Sequence, residues 1–192
     1  MYSDSRANLE AAMSFTLTPG ETTITGINWW GGCYPPVGGT CDPATKFEIE
    51  ILSDSSGTPG IPLDVAPVVS GNQTLTGKLI GGSSGWDEYA YSASVGPWTN
   101  LSANTTYWLD ILETSHEFGD STTWGWETTS SAPPGATLEQ QNSDTGVWTS
   151  LPEQLAFQII GSPTPTVPEP GFFGLVGGAL GALALLRRRA TR

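Results

Sequence analysis

The sequence predicts an all-β fold, an antiparallel β-sandwich or jelly roll, and three observations carry that expectation. Charged residues make up only 14 % of the 192, too few for long solvated helices. Gly (24) and Pro (15) are abundant and separate short apolar runs. Several of those runs alternate apolar and polar residues with a period of two, the mark of a strand with one buried face.

The runs follow in order. Met13–Leu17 and Thr23–Trp30 read as the first two strands, divided by the turn residues Thr18-Pro19-Gly20-Glu21. Phe47, Ile49 and Ile51 alternate with Lys46, Glu48 and Glu50, giving a half-buried strand. Ser53 to Pro62 reads as an exposed loop. Leu75–Ile80 and Glu88–Ala93 follow, with a second turn-rich stretch at Gly81 to Gly85. Tyr107, Leu109 and Ile111 share one face of the next strand, opposite Trp108 and Asp110. Thr122–Thr128 is followed by a third turn-rich stretch, Ala132 to Gly135. Leu155, Phe157 and Ile159 mark the last of about eight strands.

From Gly161 the composition changes. Ser162 to Thr166 is a Pro/Thr linker, expected to be extended. Val167-Pro168-Glu169-Pro170 follows, then sixteen uncharged residues from Gly171 to Leu186, then Arg187-Arg188-Arg189 and Arg192. As a helix the uncharged stretch spans about 24 Å, a little short of a ~30 Å hydrocarbon core. Snorkelling arginines and interfacial Phe172 and Phe173 close the difference. The arginine cluster acts as a stop-transfer signal, placing the body outside the cytoplasmic membrane. A soluble core helix is the competing reading, but it would not normally end in three arginines.

The order of Val167, Pro168, Glu169 and Pro170, the apolar stretch and Arg187 to Arg189 resembles the PEP-CTERM sorting signal of exported bacterial proteins. The resemblance covers about 25 residues. It implies that the chain is the substrate of an exosortase, a membrane cysteine transpeptidase. It also implies transient anchoring in the cytoplasmic membrane, removal of the tail and delivery to the cell surface or exopolysaccharide matrix. The expected division is an ectodomain over 1–161, a linker and motif over 162–170, a transmembrane helix over 171–186 and a basic tail over 187–192. The start, MYSDSRANLEAA, is hydrophilic where such a protein has an export signal, so truncation at the N-terminus is expected. The runs around Phe15, Thr22 to Gly31, Phe47 to Gly60, Leu101 to Ile111 and Trp124 to Trp126 are also similar to β-sandwich ectodomains found ahead of such tails. Those ectodomains have no well-established enzymatic role.

Cys33 and Cys41 flank Tyr-Pro-Pro-Val-Gly-Gly-Thr. Export favours a disulfide between them over two free thiols. The closed loop is short, so its contribution is about 2–3 kcal/mol.

Charge narrows the partners. Ahead of Val167 only Arg6, Lys46 and Lys78 stand against 18 carboxylates. Such a body repels phosphate backbones, which argues against nucleic-acid binding, and it attracts divalent cations or simply stays soluble. No nucleophile elbow, P-loop, HExxH or dinucleotide fingerprint occurs, and no cofactor is expected. His116, Glu117 and Asp120 offer three metal ligands in what reads more simply as a polar loop. Asp54-Ser55-Ser56-Gly57 faintly resembles the start of a calcium loop, yet its twelfth position is Val65, so a turn is the better reading.

Eight tryptophans remain. Trp29 and Trp30 point to opposite faces of a strand, whereas Trp124 and Trp126 share one face. On an open face these two rings would stack sugars, with Glu127, His116 and Asp120 as polar partners; on a closed face they are core. Three functions follow: a structural component of surface or matrix, a carbohydrate-binding module holding matrix polysaccharide, or a glycoside hydrolase. The first is the expectation, with no enzyme activity. A hydrolase would need two carboxylates about 5–10 Å apart, and no two stand out in the sequence.

Overall fold

The computed structural model describes residues 1–34, 41, 45–70, 72–80, 85–115, 123–129, 135–142 and 145–162. They form eleven strands and one 3-10 turn, Ser5–Ala7. The strands are β1 (Leu9–Thr16), β2 (Thr23–Tyr34), β3 (Lys46–Asp54), β4 (Pro59–Ser70), β5 (Asn72–Ile80) and β6 (Trp86–Trp98). They continue with β7 (Thr106–Glu113), β8 (Thr123–Trp126), β9 (Leu138–Asn142), β10 (Val147–Leu151) and β11 (Phe157–Ser162). No helix among the described residues is long and apolar enough to cross a membrane. The sorting motif, the apolar stretch and Arg187 to Arg189 lie outside the described residues.

Two antiparallel sheets pack face to face in a sandwich-like arrangement. One has the order β10-β9-β1-β7-β3-β4 and the other β11-β2-β6-β5. β8 continues the β11 edge by pairing with the far end of β2, matching Gly31 with Trp126 and Cys33 with Trp124. The long strand β2 is therefore lined on one side by β11 and then β8, and on the other by β6.

The core forms where the inward residues of both sheets meet. Ile24, Ile27 and Trp29 of β2 lie against Phe47, Ile49 and Ile51 of β3, and all six are fully buried. The Trp29 ring meets Phe47 edge-on at 5.1 Å and stacks on Tyr91 at 5.5 Å. Trp30, on the opposite face of β2, is only half-buried, as the alternation requires.

Three strands were hidden in the sequence. β4 begins inside the stretch that reads as a loop, and only residues 55–58 make the turn. Ser56 (φ 58°) and Gly57 (φ 90°) both occupy the left-handed region, the conformation of a two-residue hairpin turn. Ser55 and Thr58 close it with reciprocal backbone bonds. β4 carries Pro62 and Pro67, which break the usual strand signal but are tolerated on a sheet edge. β9 (LEQQN), which is mostly polar, and β10 (VWTSL) are five-residue strands stabilised by pairing with each other at the other edge.

The first residues close one corner of the sandwich. Met1 accepts from the Trp126 amide at 2.6 Å, and its ammonium donates to the Trp126 carbonyl at 3.0 Å. Tyr2 bridges to Gly125. Asp4, fully buried, accepts the Trp124 amide at 2.8 Å and the Ala7 amide at 3.3 Å. Ser3 takes the Glu113 amide on its carbonyl and the Ala11 amide on its hydroxyl. The segment thus ties β8 of one sheet to β7 and β1 of the other.

Candidate functional site

Trp124 and Trp126 do alternate on one strand, but the face they share is the inner one. Their exposures are 0 % and 1 %. Trp124 packs against Phe47 at 5.1 Å and Tyr91 at 6.2 Å; Trp126 packs against Phe157 at 6.2 Å and donates its indole N–H to the Ala156 carbonyl at 3.0 Å. The open stacking platform is therefore corrected to core. The outer face of β8 is covered as well: a Cβ placed on Gly125 would lie 2.9 Å from the Trp86 ring. Glycine between the two tryptophans is the sequence signal for that third ring, because no side chain fits beneath it.

A cleft opens elsewhere, where β11 passes over the end of β1. The cleft, of about 460 Å³, is lined by Phe15, Leu17, Leu155, Phe157 and Ile159, with Trp30 half-exposed at its border. Its polar edge consists of Thr16, Thr18, Glu21, Thr23 and Thr129. The Thr18 hydroxyl donates to Glu21 at 2.6 Å across the β1–β2 turn. The volume falls in the range of small-ligand sites, and the lining combines apolar rings with hydroxyls. Sequence reading missed it because it is built from segments about 140 residues apart.

The carboxylates gather on the outer faces of both sheets. On the six-stranded sheet Asp110 of β7 is paired across the ladder with Glu50 of β3 and with Ala12 of β1. It is 2 % exposed, and its Oδ1 has no hydrogen-bond partner. Burial, then hydrogen bonding and repulsion from Glu10, push its pKa well above the usual carboxylate value. Burial and contact with Glu48 push Glu50 up to about 7. On the five-stranded sheet burial and the neighbouring Glu88 push Glu127 up to about 7. Glu88 itself is 3 % exposed and lies 3.9 Å from the Lys78 ammonium.

The other expected site residues fall into two groups. Cys33 and Cys41 are joined in a disulfide with Cα atoms 5.1 Å apart. Asp54 belongs to the hairpin turn, accepting the Gly57 amide at 3.2 Å and the Trp108 indole N–H at 2.9 Å, so both oxygens serve the fold. His116, Glu117 and Asp120 lie outside the described residues. Among the described residues no three His, Cys, Asp or Glu side chains are arranged to hold a metal ion.

Comparison with protein-family models, with curated proteins and with solved structures finds no match.

Proposed function

We propose that this chain is an exported structural protein of the bacterial cell surface or extracellular matrix, routed there by its C-terminal sorting signal. The single observation that carries the reading is the order of parts in the tail: Val167 to Pro170, sixteen uncharged residues, then Arg187 to Arg189. The Cys33–Cys41 disulfide supports it, because such bonds persist in oxidising compartments outside the cytoplasm. On this reading the partner is an exosortase, the membrane is a transient anchor, and the sandwich, of jelly-roll type, is the delivered module. The test is expression in an exosortase-bearing host with Arg187 to Arg189 deleted. Loss of membrane retention and of precursor processing is expected. Fractionation with both unchanged rejects the sorting reading.

A carbohydrate-binding role is the second reading, and the cleft bordered by Trp30 favours it over the buried Trp124–Trp126 pair. Retardation of the protein in gels cast with matrix polysaccharide, abolished by Trp30→Ala at unchanged melting temperature, is the outcome that would establish it.

A further inference from the structure

Four carboxylates share the outer face of the six-stranded sheet: Glu10 on β1, Asp110 on β7, and Glu48 and Glu50 on β3. Asp110 and Glu50 are direct cross-strand neighbours, a placement that repels when both are ionised. Asp110 is buried with one oxygen unpartnered, and Glu10, two positions before its cross-strand neighbour Ala12, shares its face. Glu48 and Glu50 are two apart on β3 and share its outer face.

The surroundings offer little positive charge. From β9 comes Glu139, whose carboxylate takes the Ser150 hydroxyl, and Gln141, which donates to Glu10 at 2.7 Å. β10 contributes no charged residue. β3 adds Lys46, exposed at its start, and Asp54, bonded to Trp108. β4 places Val65 beside Glu50, with Asp64 on the adjacent position beside Ile51. Among the described residues no ion pair reaches the four carboxylates; the Lys78–Glu88 pair belongs to the other sheet.

We propose that this face is a proton-operated clamp, in which protons held around Asp110 of β7, between Glu10 of β1 and Glu50 of β3, keep the three strands together and their loss loosens the centre of the sheet. Like acids gathered around a buried carboxyl need compensation, and a shared proton turns repulsion into a hydrogen bond. The direction follows from linkage. The folded state binds these protons more tightly than the unfolded chain. The stabilisation is complete below the ordinary carboxylate value near 4.5 and is lost as pH rises through about 7, where Glu50 ionises. A module exposed outside the cell would then be firmest in acidic surroundings.

The experiment compares thermal unfolding and amide hydrogen exchange of the full chain with those of Glu50→Gln and Asp110→Asn between pH 5 and pH 8.5. The wild-type melting temperature should fall by on the order of 5 °C across that range, with exchange rising in β1, β3 and β7. Glu50→Gln should remove much of the fall and be the more stable protein at pH 8.5. If Asp110→Asn does not fold, Glu10→Gln, at a half-buried position, tests the same contact. A wild-type melting temperature that is flat or rises with pH overturns the proposal, as does an unchanged slope in Glu50→Gln. A further arm adds 5 mM CaCl2 at pH 8.5. Full recovery of the acid-state stability in wild type, lost in Asp110→Asn, would mean that a cation and not a proton compensates the face, and would overturn it too.

Discussion

Trp126→Ala removes a fully buried indole that touches Trp124 and Phe157 and holds the Ala156 carbonyl. The cavity and the lost bond should cost about 3–5 kcal/mol. Chemical denaturation, read against wild type, checks it; a loss below about 1 kcal/mol would contradict the buried placement. Asp4 is a second residue on which much rests. Its carboxylate accepts two backbone amides in a buried corner, so Asp4→Ala leaves the Trp124 amide unsatisfied, at a cost of about 1–3 kcal/mol. Hydrogen exchange at Trp124 should accelerate in that variant before the rest of β8 responds. Glu127 belongs to the residue scale as well. Its pKa of about 7 depends on burial and on Glu88, so Glu127→Gln should reduce the loss of stability as pH rises from about 4.5 to 7 without changing stability at pH 4. Melting curves at the two ends of that window decide it.

Among the elements, β2 asks most of its sequence. Its twelve residues pair with β6, β11 and β8, and its last turns of alternation are Gly31-Gly32-Cys33. A Cβ at Gly31 would sit 2.6 Å from both the Gly125 carbonyl oxygen and the Trp124 ring, so Gly31→Ala must push β8 away. Overpacking of this kind costs about 1–3 kcal/mol, and the near-ultraviolet signal of Trp124 should change with it. The disulfide ties the end of this strand to Cys41 across eight residues of separation. Replacing both cysteines by serine should cost about 2–3 kcal/mol, visible as a lower denaturation midpoint that reducing agent no longer affects. At the opposite edge of the sheets, β4 exposes Ile61, Leu63 and Val65, a surface that invites pairing with another chain. Pro62 and Pro67 in the same strand remove two amide donors and blunt that edge.

At the scale of the whole molecule, charge sets the conditions under which the fold is comfortable. The chain carries a net charge of −12, and the region ahead of the tail is more negative still. Self-repulsion of this size is screened by salt. Raising NaCl from about 10 mM to about 500 mM at pH 8 should therefore raise the melting temperature, and the effect should shrink at pH 5, where the shared protons already relieve the repulsion. Scanning calorimetry at the two pH values measures both. The same acidic body explains why the cleft is the sounder place to look for a neutral ligand: its lining holds one carboxylate, Glu21, already engaged by Thr18.

Local pattern alone determined the all-β class, eight of the eleven strands, three of them through their period of two, the turn at Thr18–Glu21 and the pairing of Cys33 with Cys41. Each depends on residues close together in the chain, where sterics and alternation act directly. β4, β9 and β10 were not legible, because β4 is interrupted by prolines, β9 is mostly polar and β10 is only five residues long, so each forms a strand only when a neighbouring strand supplies the ladder. Trp124 and Trp126 were correctly placed on one face, but which face was decided by the packing of β8 against Phe47, Tyr91 and Phe157 from other parts of the chain. The carboxylate clamp was invisible for the same reason. Glu10, Glu50 and Asp110 are up to 100 positions apart in sequence, and only the register of β1, β7 and β3 brings them onto one face. A strand's alternation is a property of its own residues; the side that faces the core, and the residue that stands opposite, belong to the sheet.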